Sequence, residues 1–493
     1  MLSILVCHSY YLSLDQKQVL RAKPYPPLAT LQVVALLRKA GHRVEFFDAM
    51  LADGIDEYDC LLRASRPQLV LFYEDNFNFL SKMCLGTMRL AACDMITSAR
   101  RAGARVIAAG PDVTDAPGPY LKAGADLTLV GEGLSVLLEV LPRLDLSPDA
   151  DSADLVEGLT GIAWRSGGKV LTASASKAPA VIPDVGLAAW DLVDMDKYRA
   201  MWLREHGYFS LNLAASRGCP FRCAWCAKPI WGNQYLQRGA AEVAAELVHI
   251  KRSFNPDHIW FADDIFGFRV EWVADFAASL QAAGVQVPFT IQTRADLVSD
   301  RMAEALRKAG CREAWIGAES GSQRVLDAMN KGTTVAEIRV ARERLRAVGI
   351  RVGFFIQLGY MDEELADIAA TRDLLDAARP DEIGVSVSYP LPGTKFYDLV
   401  KAQLGGKTHW QESNDLEMMF QGTYTSDFYR SIRNLLHDQI SLQTIGVPVD
   451  GGAHRRERSA LDQRWRELLS RERQYRSPSR HAVAAAAAAG QRR

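Results

Sequence analysis

The sequence predicts an α/β protein of two parallel-sheet units with a small helical region at the C-terminal end. Apolar, strand-like runs alternate with helix-period segments over residues 1–145, and the alternation resumes over 206–400. Length agrees, because 493 residues exceed one ordinary core. At about 150 residues per domain, roughly three parts are expected.

In the first unit, 2–7 is a buried strand rather than a signal peptide, since it is short and has no basic lead-in. A helix follows over 28–40, ended by Gly41, and 43–47 is the second strand. Further strands are expected at 68–73, 105–109 and 127–130. Strands separated by helices give a doubly wound parallel sheet, whose ligands sit beyond the strands' carboxyl ends. Those ends read Tyr73-Glu74-Asp75, Gly110-Pro111-Asp112 and Gly131-Glu132-Gly133. Glycine there permits close approach of a ligand, and it is equally ordinary turn chemistry.

Residues 146–205 read as a linker carrying a hairpin, with arms at 162–165 and 170–172 around Gly167-Gly168, then an irregular segment over 182–198. In the second unit, strands are expected at 210–215, 258–262, 289–292, 313–317, 353–358 and 384–388. Helices lie between them at 240–252, 270–283, 335–347 and 365–378. Six such repeats suit a partial (β/α)6 barrel with its active site at the strand C-terminal ends. Residues 401–476 form a helical region, in which Leu461, Trp465, Leu468 and Leu469 make one apolar face. That basic helix is expected to pack on the chain's own acidic body, and 477–493 to be a disordered tail.

Lys plus Arg is 58 against Asp plus Glu 59, a balance that gives no electrostatic ground for a specific nucleic-acid partner. The charge is uneven, with eleven Arg against four acids over 452–493, a local +7. No run approaches the ~18 apolar residues of a transmembrane segment. Eight cysteines are too few for a disulfide scaffold, so the expected compartment is cytoplasmic. Cys7, Cys60, Cys84, Cys93 and Cys311 stand singly in apolar surroundings and read as small core side chains.

Cys219, Cys223 and Cys226 are crowded in Ser216-Arg217-Gly218-Cys219-Pro220-Phe221-Arg222-Cys223-Ala224-Trp225-Cys226, a CxxxCxxC loop after the first barrel strand. Thiolates suit zinc or iron–sulfur clusters. Structural zinc wants four closed ligands, and no fourth Cys or paired His lies in this segment. Three thiolates on a four-iron cluster leave one iron open, which is a catalytic arrangement.

This loop resembles the cluster motif of the radical S-adenosylmethionine (radical SAM) superfamily, with Trp225 in the aromatic place before the last cysteine. The resemblance implies a TIM-like barrel whose 4Fe-4S cluster is held by Cys219, Cys223 and Cys226. It also implies S-adenosylmethionine on the fourth iron, cleaved reductively to a 5′-deoxyadenosyl radical. Phe261-Ala262-Asp263-Asp264 stands where the family has a Gly-Gly-Glu-like stretch, so Asp263 or Asp264 would receive the methionyl amine, or cap the next helix. Gly317-Ala318-Glu319-Ser320-Gly321-Ser322, with Met329-Asn330-Lys331-Gly332, resembles the fourth-strand segment, so Glu319 and Ser320 would face the cofactor. Arg294 would pair a carboxylate, or form a surface salt bridge. Tyr389-Pro390-Leu391-Pro392-Gly393-Thr394 also looks like this family.

A Rossmann-like unit before such a barrel resembles the cobalamin-binding class of the superfamily. The resemblance implies cobalamin contacts at Tyr73, Glu74, Gly110, Pro111, Gly131, Glu132 and Gly133. The DxHxxG motif of histidine-ligated cobalamin domains is absent, and His8-Ser9-Tyr10-Tyr11 follows the first strand instead. The lower cobalt face is therefore expected to lack a histidine. The class implies a small-molecule substrate, an electron donor such as a flavodoxin or ferredoxin, and methyl transfer to an unactivated carbon or to phosphorus. Radical cyclisation or rearrangement without methylation is the alternative enzyme, and a cobalamin- or redox-responsive regulator is the alternative of another kind.

Overall fold

The computed structural model describes residues 1–77, 86–173, 185–226, 230–231, 233–405, 416–444 and 451–477. Cys84, residues 182–184 of the irregular segment, and 478–493 of the expected tail lie outside the described residues.

The first sheet is built from β1 (Ser3–Cys7), β2 (Arg43–Phe47), β3 (Leu69–Tyr73), β4 (Arg105–Ala109), β5 (Leu127–Leu129), β6 (Ile162–Ser166) and β7 (Lys169–Ala173). Their order is β2-β1-β3-β4-β5-β6-β7. The first five are parallel, and β3 is buried at every position, as a strand covered by helices on both faces must be. The chain reverses direction across the sheet between β1 and β3, which makes their carboxyl ends the natural ligand crevice. The hairpin assigned to a linker is instead part of this sheet, because β6 pairs antiparallel to β5 and β7 to β6. The sheet unit thus runs past the expected boundary at 145.

The second sheet holds β8 (Ser210–Leu213), β11 (His258–Phe261), β12 (Phe289–Thr293), β13 (Cys311–Glu319), β14 (Arg351–Leu358) and β15 (Glu382–Val387), all parallel. Its order, β15-β14-β13-β12-β11-β8, follows the chain, as a partial barrel requires. Helix starts are set by local chemistry, as at Val335–Ala347, where Thr334 and Glu337 form a capping box. A separate antiparallel ribbon pairs β9 (Ser216–Gly218) with β10 (Tyr235–Gln237).

The two sheet units share one apolar core. The helix Leu28–Lys39 lies between them, buried on nearly all sides. The Asn212 side chain donates to the Pro26 carbonyl at 3.0 Å and the Trp202 indole to that of Pro24 at 2.7 Å. Two helices differ from the expected pattern: Gln16–Arg21 was not anticipated, and Met195–His206 begins inside the segment read as irregular. Asp194 caps the latter at Lys197 N–H, a signal overlooked beside the Trp190 turn.

The C-terminal helices Ser426–Thr444 and Gly451–Ser470 cover the barrel's last repeats. Leu461 and Trp465 are buried, and Arg458 and Arg464 pair with Asp376 and Asp438 at 3.0 and 2.7 Å. The basic helix thus packs on the chain's own acids. Cys7 and Cys311 are buried as expected, whereas Cys60 is exposed on the outer face of the helix Ile55–Ser65 and Cys93 is half-buried. No helix among the described residues is long and apolar enough to cross a membrane.

Candidate active site

The cysteine loop leaves β9 through Gly218, whose φ of +75° and 2.3 Å gap from its Cβ position to the Gln234 carbonyl admit only glycine. The loop is then tied down from the barrel. Ala224 N–H donates to the Met329 carbonyl at 2.7 Å, Phe396 N–H to the Ala224 carbonyl at 2.9 Å, and the Asn330 amide to the Arg222 carbonyl at 2.7 Å. Cys223 lies between two cations. An Arg294 nitrogen is 3.8 Å from its Sγ, and the Lys331 pKa, lowered by burial but raised overall by Glu319, is also raised by the nearby Cys223 thiol.

Arg294 stacks on the Phe221 ring at 3.6 Å, grips Asp296 with two nitrogens at 2.9 and 3.0 Å, and donates to the Lys331 carbonyl. These contacts brace the loop. Glu319 pairs with Lys331 at 2.8 Å, both buried. It sits at φ +60°, beside a register shift in β13, a strained setting of the kind that clusters at functional sites. Gly317 makes room for this pair, because a Cβ there would lie 2.6 Å from both charged groups. Ser320 is fully buried, within 3.2 Å of the Thr371 hydroxyl and accepting from Ser322 N–H.

Asp263 is buried under the ribbon and accepts from Ala215 N–H at 3.0 Å and from the Ser216 hydroxyl. Burial pushes its carboxyl up to about 7, against those hydrogen bonds. It anchors the strand that enters the cysteine loop, whereas Asp264 is exposed. Trp225 is half-buried, with an indole N–H that has no partner among the described residues.

At the sheet crevice, the Glu74 carboxylate accepts from Ser9 N–H at 3.0 Å and from its hydroxyl at 2.7 Å, bridging the ends of β1 and β3. Burial raises the Glu74 pKa. His8 is buried and directed away, 3.0 Å from Asp48, which also accepts from the Tyr198 hydroxyl. Two glycines read as points of ligand approach meet the chain itself. A Cβ on Gly110 would strike the Glu74 side chain at 2.6 Å, and one on Gly133 the Leu129 side chain at 2.6 Å. Pro111 begins the short helix Pro111–Asp115. The Tyr73 hydroxyl donates to the Glu132 carbonyl at 2.9 Å.

Glu132 is engaged within the chain. It pairs with Arg217 at 2.6 Å, and Arg217 also donates to the Gln32 side chain at 2.6 Å. Gly131 faces the Ile230 carbonyl, and Phe77, just past β3, packs on Trp231. The carboxyl edge of the first sheet therefore meets the cysteine loop directly. Arg217, Gln32 and Ser9 were not singled out from sequence. An arginine two positions before Cys219 in an otherwise apolar strand entry was the available signal.

The residues fit an iron–sulfur cluster and its ligands in two respects. Three thiols share one tethered loop, and two cations beside Cys223 would offset the charge of an anionic cluster. Buried polar atoms without partners among the described residues stand at strand C-terminal ends, namely Gln357 Oε1 on β14, the Ser388 hydroxyl just past β15 and Asn76 Oδ1 at the crevice. No three His, Cys, Asp or Glu side chains among the described residues converge on a single metal point, and a cluster asks only one iron per thiolate.

Residues 213–375 match the Radical SAM superfamily. An uncharacterized methyltransferase of Pyrococcus horikoshii is 25% identical over 59% of this chain and 62% of its own length. An anaerobic magnesium-protoporphyrin IX monomethyl ester cyclase of Cereibacter sphaeroides is 26% identical over 57% and 45%. The matched spans are thus less than two thirds of either relative. The hopanoid C-3 methylase of Methylococcus capsulatus is 23% identical over 77% of this chain and 69% of its own. Among solved structures, the radical S-adenosylmethionine methyltransferase TsrM of Kitasatospora setae, with cobalamin and a [4Fe-4S] cluster bound, aligns at TM-score 0.64 and 18% identity over 82% and 79% of the chains. The cobalamin-dependent S-adenosylmethionine radical enzyme OxsB aligns at 0.68 and 16% over 95% and 72%. With the superfamily match lying on the strands that carry the cysteine loop, residues 213–375 form a radical SAM domain, and the chain as a whole shares the fold of these two solved structures.

Proposed function

We propose that the chain is a cobalamin-dependent radical SAM methyltransferase acting on an unactivated carbon, or a phosphorus, of a small molecule. The observation that carries this reading is the direct seating of the first sheet's carboxyl edge on the cysteine loop through Arg217, Glu132 and Phe77. Two ligands at those two edges would share one junction, which is what transfer between them requires. When bound, the cluster supplies the electron that cleaves S-adenosylmethionine and the corrinoid supplies a methyl carrier.

Cys219, Cys223 and Cys226 would each hold one iron as thiolates. Lys331 and Arg294 offset that negative charge, and their own hydrogen bonds to Glu319 and Asp296 fix them in place. Asp263 holds the strand entering the loop. Trp225 and Ser388 offer a donor and a hydroxyl, and Gln357 and Asn76 offer acceptors, for groups of the bound ligands. An electron donor such as a flavodoxin or ferredoxin and a cytoplasmic location go with this reading.

The similarity to the magnesium-protoporphyrin cyclase favours a second reading, radical cyclisation without methylation. One experiment separates the two. Anaerobically reconstituted protein is given cobalamin, reductant and S-adenosylmethionine with a trideuterated methyl group, together with candidate small molecules. Methyl transfer adds the labelled methyl mass to a product, whereas cyclisation adds none. Cys219→Ala, Cys223→Ala and Cys226→Ala are expected to lose iron and 5′-deoxyadenosine formation, and Cys311→Ala to keep both. A triple variant that still held about four irons, the number in this cluster type, would overturn the assignment.

A further inference from the structure

The barrel end opposite the cysteine loop carries a second feature that the chemistry above does not use. β14 spans Arg351–Leu358, so its N-terminal end lies about 23 Å from its C-terminal end at ~3.3 Å per residue. A cavity of about 590 Å³ opens there. Its walls are Arg342 and Arg346 from the helix Val335–Ala347, Arg351 at the start of β14, and the turn Arg379, Pro380 and Asp381. Asp381 is the one acid among the lining residues, against four guanidinium groups. It is already occupied, accepting from Val352 N–H at 2.8 Å.

Basic residues at a helix C-terminus complement the helix dipole, and Arg346 alone would need no further reason. Arg342 does. It is only 4% exposed, and one of its nitrogens donates to the Arg379 carbonyl at 2.9 Å and pairs with Asp381 at 3.1 Å. Its Nε and second terminal nitrogen are buried with no partner among the described residues. Burial, opposed by Asp381, lowers the pKa of this guanidinium. Buried charged donors left unpaired are costly. Arg342 lines the cavity, so its charge draws an anion there. Arg351 is mostly exposed and only 3.7 Å from Glu313, leaving its fork available.

We propose that this cavity binds a phosphorylated small molecule, gripped by Arg342, Arg346, Arg351 and Arg379. Guanidinium forks match phosphate oxygens bidentately. The volume lies within the ~300–1,000 Å³ of small-molecule sites, so the phosphate is carried on a larger body. The inference does not depend on the reaction proposed above.

The test titrates full-length protein, in low-chloride buffer with saturating S-adenosylmethionine, by calorimetry with orthophosphate, pyrophosphate and uridine diphosphate. Saturable binding of uridine diphosphate and pyrophosphate is expected, at least ten-fold tighter than orthophosphate. The double variant Arg346→Ala, Arg379→Ala changes two exposed residues and is expected to weaken it at least ten-fold, with anion-free 5′-deoxyadenosine formation unchanged. Three results would overturn the proposal: no saturable binding by the wild type, equal binding by the double variant, or retention of an RNA oligonucleotide without any small-anion binding.

Discussion

Arg217 and Glu132 form a buried ion pair at 2.6 Å that fastens the carboxyl edge of the first sheet to the strand entering the cysteine loop. Gln32 takes a second Arg217 nitrogen, and Tyr73 holds the Glu132 backbone. Removing one partner of a buried pair strands the other charge, at about 3–5 kcal/mol. Glu132→Ala is therefore expected to lower the thermal transition and the iron retained after reconstitution. Glu132→Gln keeps an acceptor for Arg217 and should lose less of both. Wild-type melting and iron content in Glu132→Ala would show that the pair does not position the loop.

The neighbouring Gly218 gives a separate handle on the same loop. Its φ of +75° disfavours any side chain, and a Cβ would collide with the Gln234 backbone carbonyl, which cannot swing aside as a side chain would. Gly218→Ala should open the β9–β10 ribbon and release iron although all three thiols remain. Colorimetric iron determination and the visible absorption of the reconstituted protein check this.

Glu363 should make stability pH-dependent. It is buried at the C-terminal end of β14, where one oxygen accepts from Gly359 N–H at 2.6 Å and the other has no partner. Burial pushes its carboxyl up to about 8 from 4.5; Asp367 adds to the shift, and the Gly359 hydrogen bond and Arg324 oppose it. The native state thus holds this proton more tightly than the unfolded chain does. Its stabilising contribution is full below about 4.5, declines as pH rises, and is gone above about 8. Glu363→Gln cannot titrate. The melting temperature of wild type minus that of Glu363→Gln should fall between pH 5 and 8 and then level off. A difference constant with pH would refute the raised value.

The parts legible in sequence were those encoded by local pattern. β2 carries Val44, Phe46 and Phe47, β4 is apolar after Arg105, and both fall at the expected residues 43–47 and 105–109. The helix Val335–Ala347 announces itself through Thr334 and Glu337. The cysteine loop was visible because its spacing is compact. What escaped was long-range pairing. Nothing near Glu132 indicates that its partner stands 85 positions later, and Gly110 and Gly133 look alike whether a ligand or a side chain fills the space beside them. The hairpin at β6 and β7 was recognised, but its pairing to β5 depends on an edge that no local pattern reveals.

The C-terminal helices should hold through one aromatic residue more than through their many charges. Trp465 is 2% exposed, and the Arg372 guanidinium lies 4.8 Å from its ring centre. Replacing a buried Trp with Ala removes about 3–5 kcal/mol, so Trp465→Ala should free Gly451–Ser470 for rapid proteolysis. Its indole N–H has no partner, so Trp465→Phe discards no hydrogen bond, keeps most of the packed ring and should resist the protease much better. The Arg464–Asp438 pair is about half exposed on both sides. Such pairs contribute roughly 0–1 kcal/mol, so Arg464→Ala should digest like the wild type. If Arg464→Ala proved as labile as Trp465→Ala, charge rather than burial would be holding this region to the barrel.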